Sequence, residues 1–240
     1  MPRFVLLLIL TGVSFGAVGQ VDQVRSASRS GGGSRDVGGG SYGGGSFAAD
    51  LVFNLMFGNI VAWQQYTLDK RNTQRQVISL DVSAQAGGQA SGYYIINPRI
   101  RANWGLFSTD YRMNYLLEED FGRVKIISTS DWQILQLNVL TARDITFRVG
   151  GGVLQERYEG RRSYPEWTAG IQIHPFAGRW GGVAEYRGSE ARREVNGHVR
   201  YTIFEKQKFH PYLLGGIMYQ QYYRQVKVWG FQAGIGFGLY

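Results

Sequence analysis

From Ile78 to Tyr240 the chain returns, run after run, to an apolar side chain at every second position. The last run is the cleanest: Trp229, Phe231, Ala233, Ile235, Phe237 and Leu239 alternate with Gly230, Gln232, Gly234, Gly236 and Gly238. A period of two sends neighbouring side chains to opposite faces, so such a run forms a strand with two unlike sides. Earlier runs repeat the pattern with charge on the second side. Tyr94, Ile96, Pro98, Ile100, Ala102 and Trp104 alternate with Asn97, Arg99, Arg101 and Asn103. Trp167, Ala169, Ile171 and Ile173 alternate with Glu166, Thr168 and Gln172, and Val195, Val199, Tyr201 and Ile203 with Asn196, His198, Arg200 and Thr202. Counting the runs from Ile78–Ala84 to the terminal one predicts ten strands. Eight is the alternative if Ile78–Ala84 or Trp180–Tyr186 lies outside the wall.

Composition fits this reading. The 240 residues include 34 glycines, 5 prolines and 14% aromatics, which suits many short strands and tight turns. There is no cysteine, so disulfides, thiol nucleophiles and Cys-ligated metals are excluded. Mean hydropathy is −0.22, a value that a sheet with one apolar and one polar face also produces, so it does not exclude a membrane barrel.

The N-terminal third is organised differently. Residues 1–19 read as a signal peptide: Arg3 is the positive start, Phe4–Leu10 opens the apolar core, and Ala17 and Gly19 are small residues before Gln20. Residues 20–46 read as a Gly/Ser-rich flexible linker, with three GGGS-like units between Ser26 and Ser46. Residues 47–72 read as an amphipathic helical extension with Leu51, Leu55, Gly58 and Ala62 on one stripe; Asn54, Asn59, Gln64 and Gln65 argue against a membrane span. It lies on a membrane surface or packs against the rest of the fold, the barrel mouth included. Residues 76–240 are the sheet.

A soluble sandwich would also alternate. Two features favour a closed antiparallel transmembrane β-barrel. Connections at Trp104–Leu106, Thr141–Arg143, Phe176–Gly178 and Lys206–Lys208 read as short turns, whereas 87–92, 117–130, 157–163 and 188–193 read as longer, charged loops. Short turns on one rim and long loops on the other is the outer-membrane pattern. Aromatics also gather at strand ends: Trp104, Phe107, Phe176, Trp180, Phe204, Phe209 and Tyr240 at one end, and Tyr93, Tyr94, Trp132, Tyr158, Tyr164, Tyr186, Tyr222, Tyr223 and Trp229 at the other. Amphipathic rings prefer the two membrane interfaces.

The aromatic-ended final strand resembles the C-terminal signal of small bacterial outer-membrane β-barrels, of the OmpA/OmpX-like or Bacteroidetes-type class. The resemblance covers Ile78–Tyr240 and rests on pattern. It implies outer-membrane location, a periplasmic N-terminus and recognition by the barrel assembly machinery. Tyr240 departs from it, being out of phase with the Trp229-to-Leu239 stripe.

The polar phase carries the candidate site: a lumen cluster of Arg99, Arg101, Asp110, Arg112, Arg148, Glu166, Glu185 and Arg200, with Arg187 and Asp81 on the same phase. Ten strands enclose a narrow interior that side chains fill, so these charges either pair into a plug or line a narrow anion-favouring pore. The plug is the preferred reading, with a structural or interaction role. Basic residues Arg157, Arg161, Arg162, Arg192 and Arg193 are expected on the loop rim, facing lipopolysaccharide phosphates and other outer-membrane lipids. A lipid-modifying enzyme is the third reading; no nucleophile–base pair emerges, and Thr202 is the nearest hydroxyl to His198. His174 and His198 are expected as hydrogen-bonded lumen residues. No cofactor, metal or nucleic-acid partner is expected.

Overall fold

A computed structural model describes residues 20–31, 60–72, 74–89, 92–120, 123–142, 144–158, 160–173, 179–204 and 208–240. The segments 1–19, 32–46 and 47–59, where the signal, most of the linker and the first half of the helical extension are expected, lie outside them. Ten strands follow in order: β1 Ile78–Gln89, β2 Tyr93–Trp104, β3 Phe107–Asp120, β4 Arg123–Thr141, β5 Ile145–Arg157, β6 Arg161–Ile173, β7 Trp180–Gly188, β8 Arg192–Thr202, β9 Phe209–Tyr222 and β10 Val226–Leu239. Each pairs antiparallel with its sequence neighbours, and β10 closes onto β1 to complete a barrel. Closure leaves no strand edge with unpaired backbone groups.

Burial is inverted relative to a soluble domain. Ile235, Trp180 and Phe231 on the outer face are 66%, 65% and 63% exposed, while Asp110 and Asp131 inside are 0% exposed. Along β10, Trp229 to Leu239 spans ten steps of roughly 3.3 Å, and a tilt of about 40° gives an apolar band about 25 Å tall, the height of a bilayer core. No described helix is long and apolar enough to cross a membrane.

The expected long loops are not loops. Four of them, 87–92, 117–130, 157–163 and 188–193, shrink to the few residues between β1 and β2, β3 and β4, β5 and β6, and β7 and β8. The wider connections are at the opposite rim, between Ile173 and Trp180 and between Thr202 and Phe209. The strands simply continue past the apolar band. There the outer face also turns polar, at Glu119, Ser128, Arg157, Arg161 and Arg193, and alternation disappears from the sequence although the ladder goes on. Tyr93 and Tyr222, expected in an outer ring, point inward and are 1% exposed.

The start of the expected linker is a helix, α1 (Gln20–Gly31). Val21, Val24 and Ala27 line one side of it and are fully buried among Tyr93, Ile95, Leu116, Ile127, Met218, Tyr222, Val226 and Val228. Ser and Gly are weak helix formers, so this docking supplies what propensity does not. Four polar contacts fix the helix: the Val21 N–H donates to Glu118 Oε2 (2.9 Å), Arg25 to the Ile126 carbonyl (3.2 Å), Arg162 to the Ser28 carbonyl (2.8 Å), and Lys125 pairs with Asp22. A second helix, α2 (Ile60–Asp69), sits at the other end. Gln64 there bonds the Trp104 carbonyl (3.0 Å) and the Leu106 N–H (2.6 Å), capping the β2–β3 turn.

The terminal strand explains its glycines. Its outer residues meet the apolar band. On its inner face a Cβ at Gly236 would lie 2.5 Å from the Tyr212 ring, and one at Gly238 would lie 3.1 Å from the Tyr240 hydroxyl. Glycine lets both rings lie against the wall. Tyr240 is out of phase because it turns inward, where its ring packs edge-on against His210 with centroids 4.9 Å apart.

Candidate functional site: the charged lumen

Inward-facing positions from six strands converge on the barrel axis. In the half nearer α2, Asp110 of β3 and Glu185 of β7 share three arginines. Arg101 reaches Asp110 at 2.8 Å and Glu185 at 2.7 Å; Arg99 reaches Glu185 at 2.6 Å and also pairs with Asp110. Arg187 bonds both carboxylates at 2.6 Å.

In the half nearer α1, Asp131 of β4 receives Arg112 and Arg192, each at 2.6 Å. Arg112 crosses to Glu194 of β8, and Arg192 reaches Glu166 of β6 at 3.0 Å. Arg187 joins the two halves, 3.6 Å from Asp131. Neutral donors complete the set: Gln133 to Glu166 (2.7 Å), Gln220 to Glu194 (2.7 Å) and Asn114 to Asp131 (2.9 Å). Below, Arg200 pairs with Asp81 at 3.0 Å and lies over the Tyr212 ring, 3.9 Å from its centroid, and Tyr212 donates to Asp81 at 2.6 Å.

Buried charges are costly unless paired and hydrogen-bonded, and here nearly every one is both. Bidentate guanidinium–carboxylate contacts also fix geometry. The arrangement is therefore a set of cross-links between opposite walls.

Of the expected cluster, Arg99, Arg101, Asp110, Arg112, Glu166 and Glu185 do come together. Arg200 belongs to the separate Asp81 pair. Arg148 donates to Gln172 at 3.1 Å and has no carboxylate within ion-pair distance among the described residues. Asp131 and Glu194 were missed, because both lie where outer-face alternation has faded. Arg192 is corrected: expected on the rim, it is 1% exposed at the centre of the network, because β8 begins at Arg192 and its phase points inward. Arg157, Arg161, Arg162 and Arg193 are exposed, at the α1 end. His198 faces the lumen with its Nδ1 3.5 Å from Asn196 Oδ1; His174 lies outside the described residues. At the α1 mouth, burial and a bond donated to Glu156 push the Tyr223 phenol well above its usual range.

An apolar outer face, a closed antiparallel wall and an ion-paired interior define an outer-membrane-type β-barrel with a buried salt-bridge network inside. No family model matches the chain, and no curated protein matches it either. Among solved structures it is similar to the N-terminal β-barrel domain of Pseudomonas aeruginosa OprF, at 11% identity over 67% of this chain and 97% of that one, with a TM-score of 0.32. It is likewise similar to the NanC porin, at 11% identity over 67% of this chain and 99% of that one, with a TM-score of 0.34.

Proposed function

We propose that this chain resides in a bacterial outer membrane as a barrel closed at rest, with a structural or interaction role. The observation that carries the reading is the network tying β3 and β4 to β7 and β8 through Arg112–Glu194, Arg187–Asp110 and Arg192–Asp131, which crosses the passage a solute would take. Docking of α1 at one mouth supports it further.

Aromatic positions support two membrane interfaces. Trp132, Trp167, Tyr186 and Trp229 lie toward the α1 end of the outer face, and Trp104, Trp180, Phe204 and Phe209 toward the α2 end. In the proposed orientation the start of β1 and the end of β10 lie on the periplasmic side, and α1 docks at the opposite, outward mouth. The last strand then serves the assembly machinery. Arg157, Arg161, Arg162 and Arg193 are placed to meet lipopolysaccharide phosphates.

The test is planar-bilayer conductance of the refolded chain. The closed reading expects no resolved steps. Steady anion-selective steps would overturn it in favour of a narrow pore, the second reading, which the guanidinium of Arg148, without an ion pair, favours.

A further inference from the structure

Among the described inward guanidiniums one is left without an ion pair. Arg99, Arg101, Arg112, Arg187 and Arg192 are bound to Asp110, Asp131, Glu166, Glu185 and Glu194, five against five, and Arg200 is bound to Asp81. Arg148, the seventh inward guanidinium, is 4% exposed and has no carboxylate within ion-pair distance among the described residues; the further buried carboxylates, Glu118 and Glu156, lie at the α1 mouth. Its one side-chain bond goes to a neutral amide, Gln172. Its Nε has no acceptor.

A second donor stands nearby in the same condition. Gln136 of β4 is opposite Gly150, the next inward position along β5 from Arg148. The Gln136 side chain lies over that glycine, since a Cβ at Gly150 would come within 2.6 Å of Gln136 Cγ. Gln136 is 0% exposed and its Nε2, too, has no acceptor. The position paired with Arg148 on β6 is Gly170, which puts no side chain beside the guanidinium. The charges that act most on Arg148 are those of Glu185, Arg99, Asp110 and Asp81, and all four are engaged with other partners.

An uncompensated buried cation is expensive in a poorly hydrated interior, and two unfilled N–H donors on adjoining positions describe an acceptor site. We propose that Arg148 and the Gln136 amide hold a small inorganic anion of the halide type inside the barrel, as the counter-charge that no carboxylate beside Arg148 supplies. The ion is part of the fold's electrostatics, whether or not the barrel conducts.

Bromide is the probe. The refolded chain is compared in sodium bromide and in sodium gluconate of equal ionic strength, gluconate being too bulky for the site. The thermal midpoint should rise with bromide concentration in the parent, with the dependence expected for uptake of one ion on folding. That dependence should vanish in Arg148→Gln and persist in Arg157→Gln, a rim control. Equal bromide dependence in the parent and Arg148→Gln, or none in the parent, overturns the proposal. Should Arg148→Gln fail to fold, bromide-soaked crystals of the parent decide it: an anomalous peak beside Arg148 Nε supports the site, and its absence there sinks it.

Discussion

Arg187 of β7 and Asp110 of β3 meet 2.6 Å apart although three strands separate them by the shorter way round the ring. Asp110 also binds Arg99 and Arg101, so one carboxylate holds three guanidiniums. Asp110→Asn should therefore cost about 3–5 kcal/mol, the usual loss when one member of a buried pair is removed. A urea unfolding midpoint, with lipid-facing Ile171→Val as reference, measures it. In the double variant with Arg187→Met the loss should be smaller than the sum of the single losses, because the two residues share one contact.

Glu166 sits at the edge of the same network, held by Arg192 and Gln133. Glu166→Gln keeps the shape and the amide contact but removes one charge. A loss of roughly 1–3 kcal/mol is expected, below that for Asp110 because fewer guanidiniums depend on it. An unchanged midpoint would mean that Glu166 is hydrated.

Helix α1 is held by an apolar face that buries Val24 completely. Val24→Asp places a carboxylate in that contact without a partner, so the helix should leave the mouth while the barrel keeps its heat-modifiable gel mobility. Hydrogen exchange of residues 21–29 should rise by orders of magnitude, toward that of an unstructured segment, and exchange in β10 below Gly230 should not change. Equal protection in both proteins would refute docking as the source of this helix.

Orientation is tested from outside the cell. A protease site inserted at Gly160, in the β5–β6 turn, should be cut on intact cells, and one inserted after Lys208, at the opposite rim, should be protected. The reverse pattern would invert the proposed topology, and cutting at both would argue against a membrane-embedded wall.

Gly236 tests the terminal strand. In Gly236→Val the new side chain collides with the Tyr212 ring, which orients Asp81 for Arg200. The refolding yield should fall several-fold, and Phe237→Leu, which changes only the outer face, should leave it unaltered. Equal yields would mean that Tyr212 can move aside freely.

What the chain made legible was whatever lay within the apolar band. There one face is uniformly hydrocarbon, so Trp229 to Leu239, or Trp167 to Ile173, fixes strand, phase and which charges turn inward. That is why Arg99, Arg101, Asp110, Arg112 and Glu185 were recognisable together. Above the band the outer face is polar as well, and the same ladder reads as loop, which hid Asp131 and Glu194 and misplaced Arg192. Helix α1 is illegible for another reason: its Ser-containing second half runs into glycine repeats that argue for coil, and only the cup formed by Tyr93, Met218 and Tyr222, brought together by distant strands, makes it helical.

Leu80 lies directly opposite Leu239, so the first and last strands are ordinary neighbours. Every other pairing in the wall joins consecutive strands. The ring accordingly has no structural beginning. A circular permutant, with β10 joined to β1 by a short linker and new ends opened in the Tyr223–Gln225 turn, would keep every ladder and every lumen contact. It would end on β9 instead, at the rim opposite Leu239, and would lack the segment that precedes β1. Such a chain isolates one property of β10, sealing the wall, which depends on register with its two neighbours and not on its place in the chain.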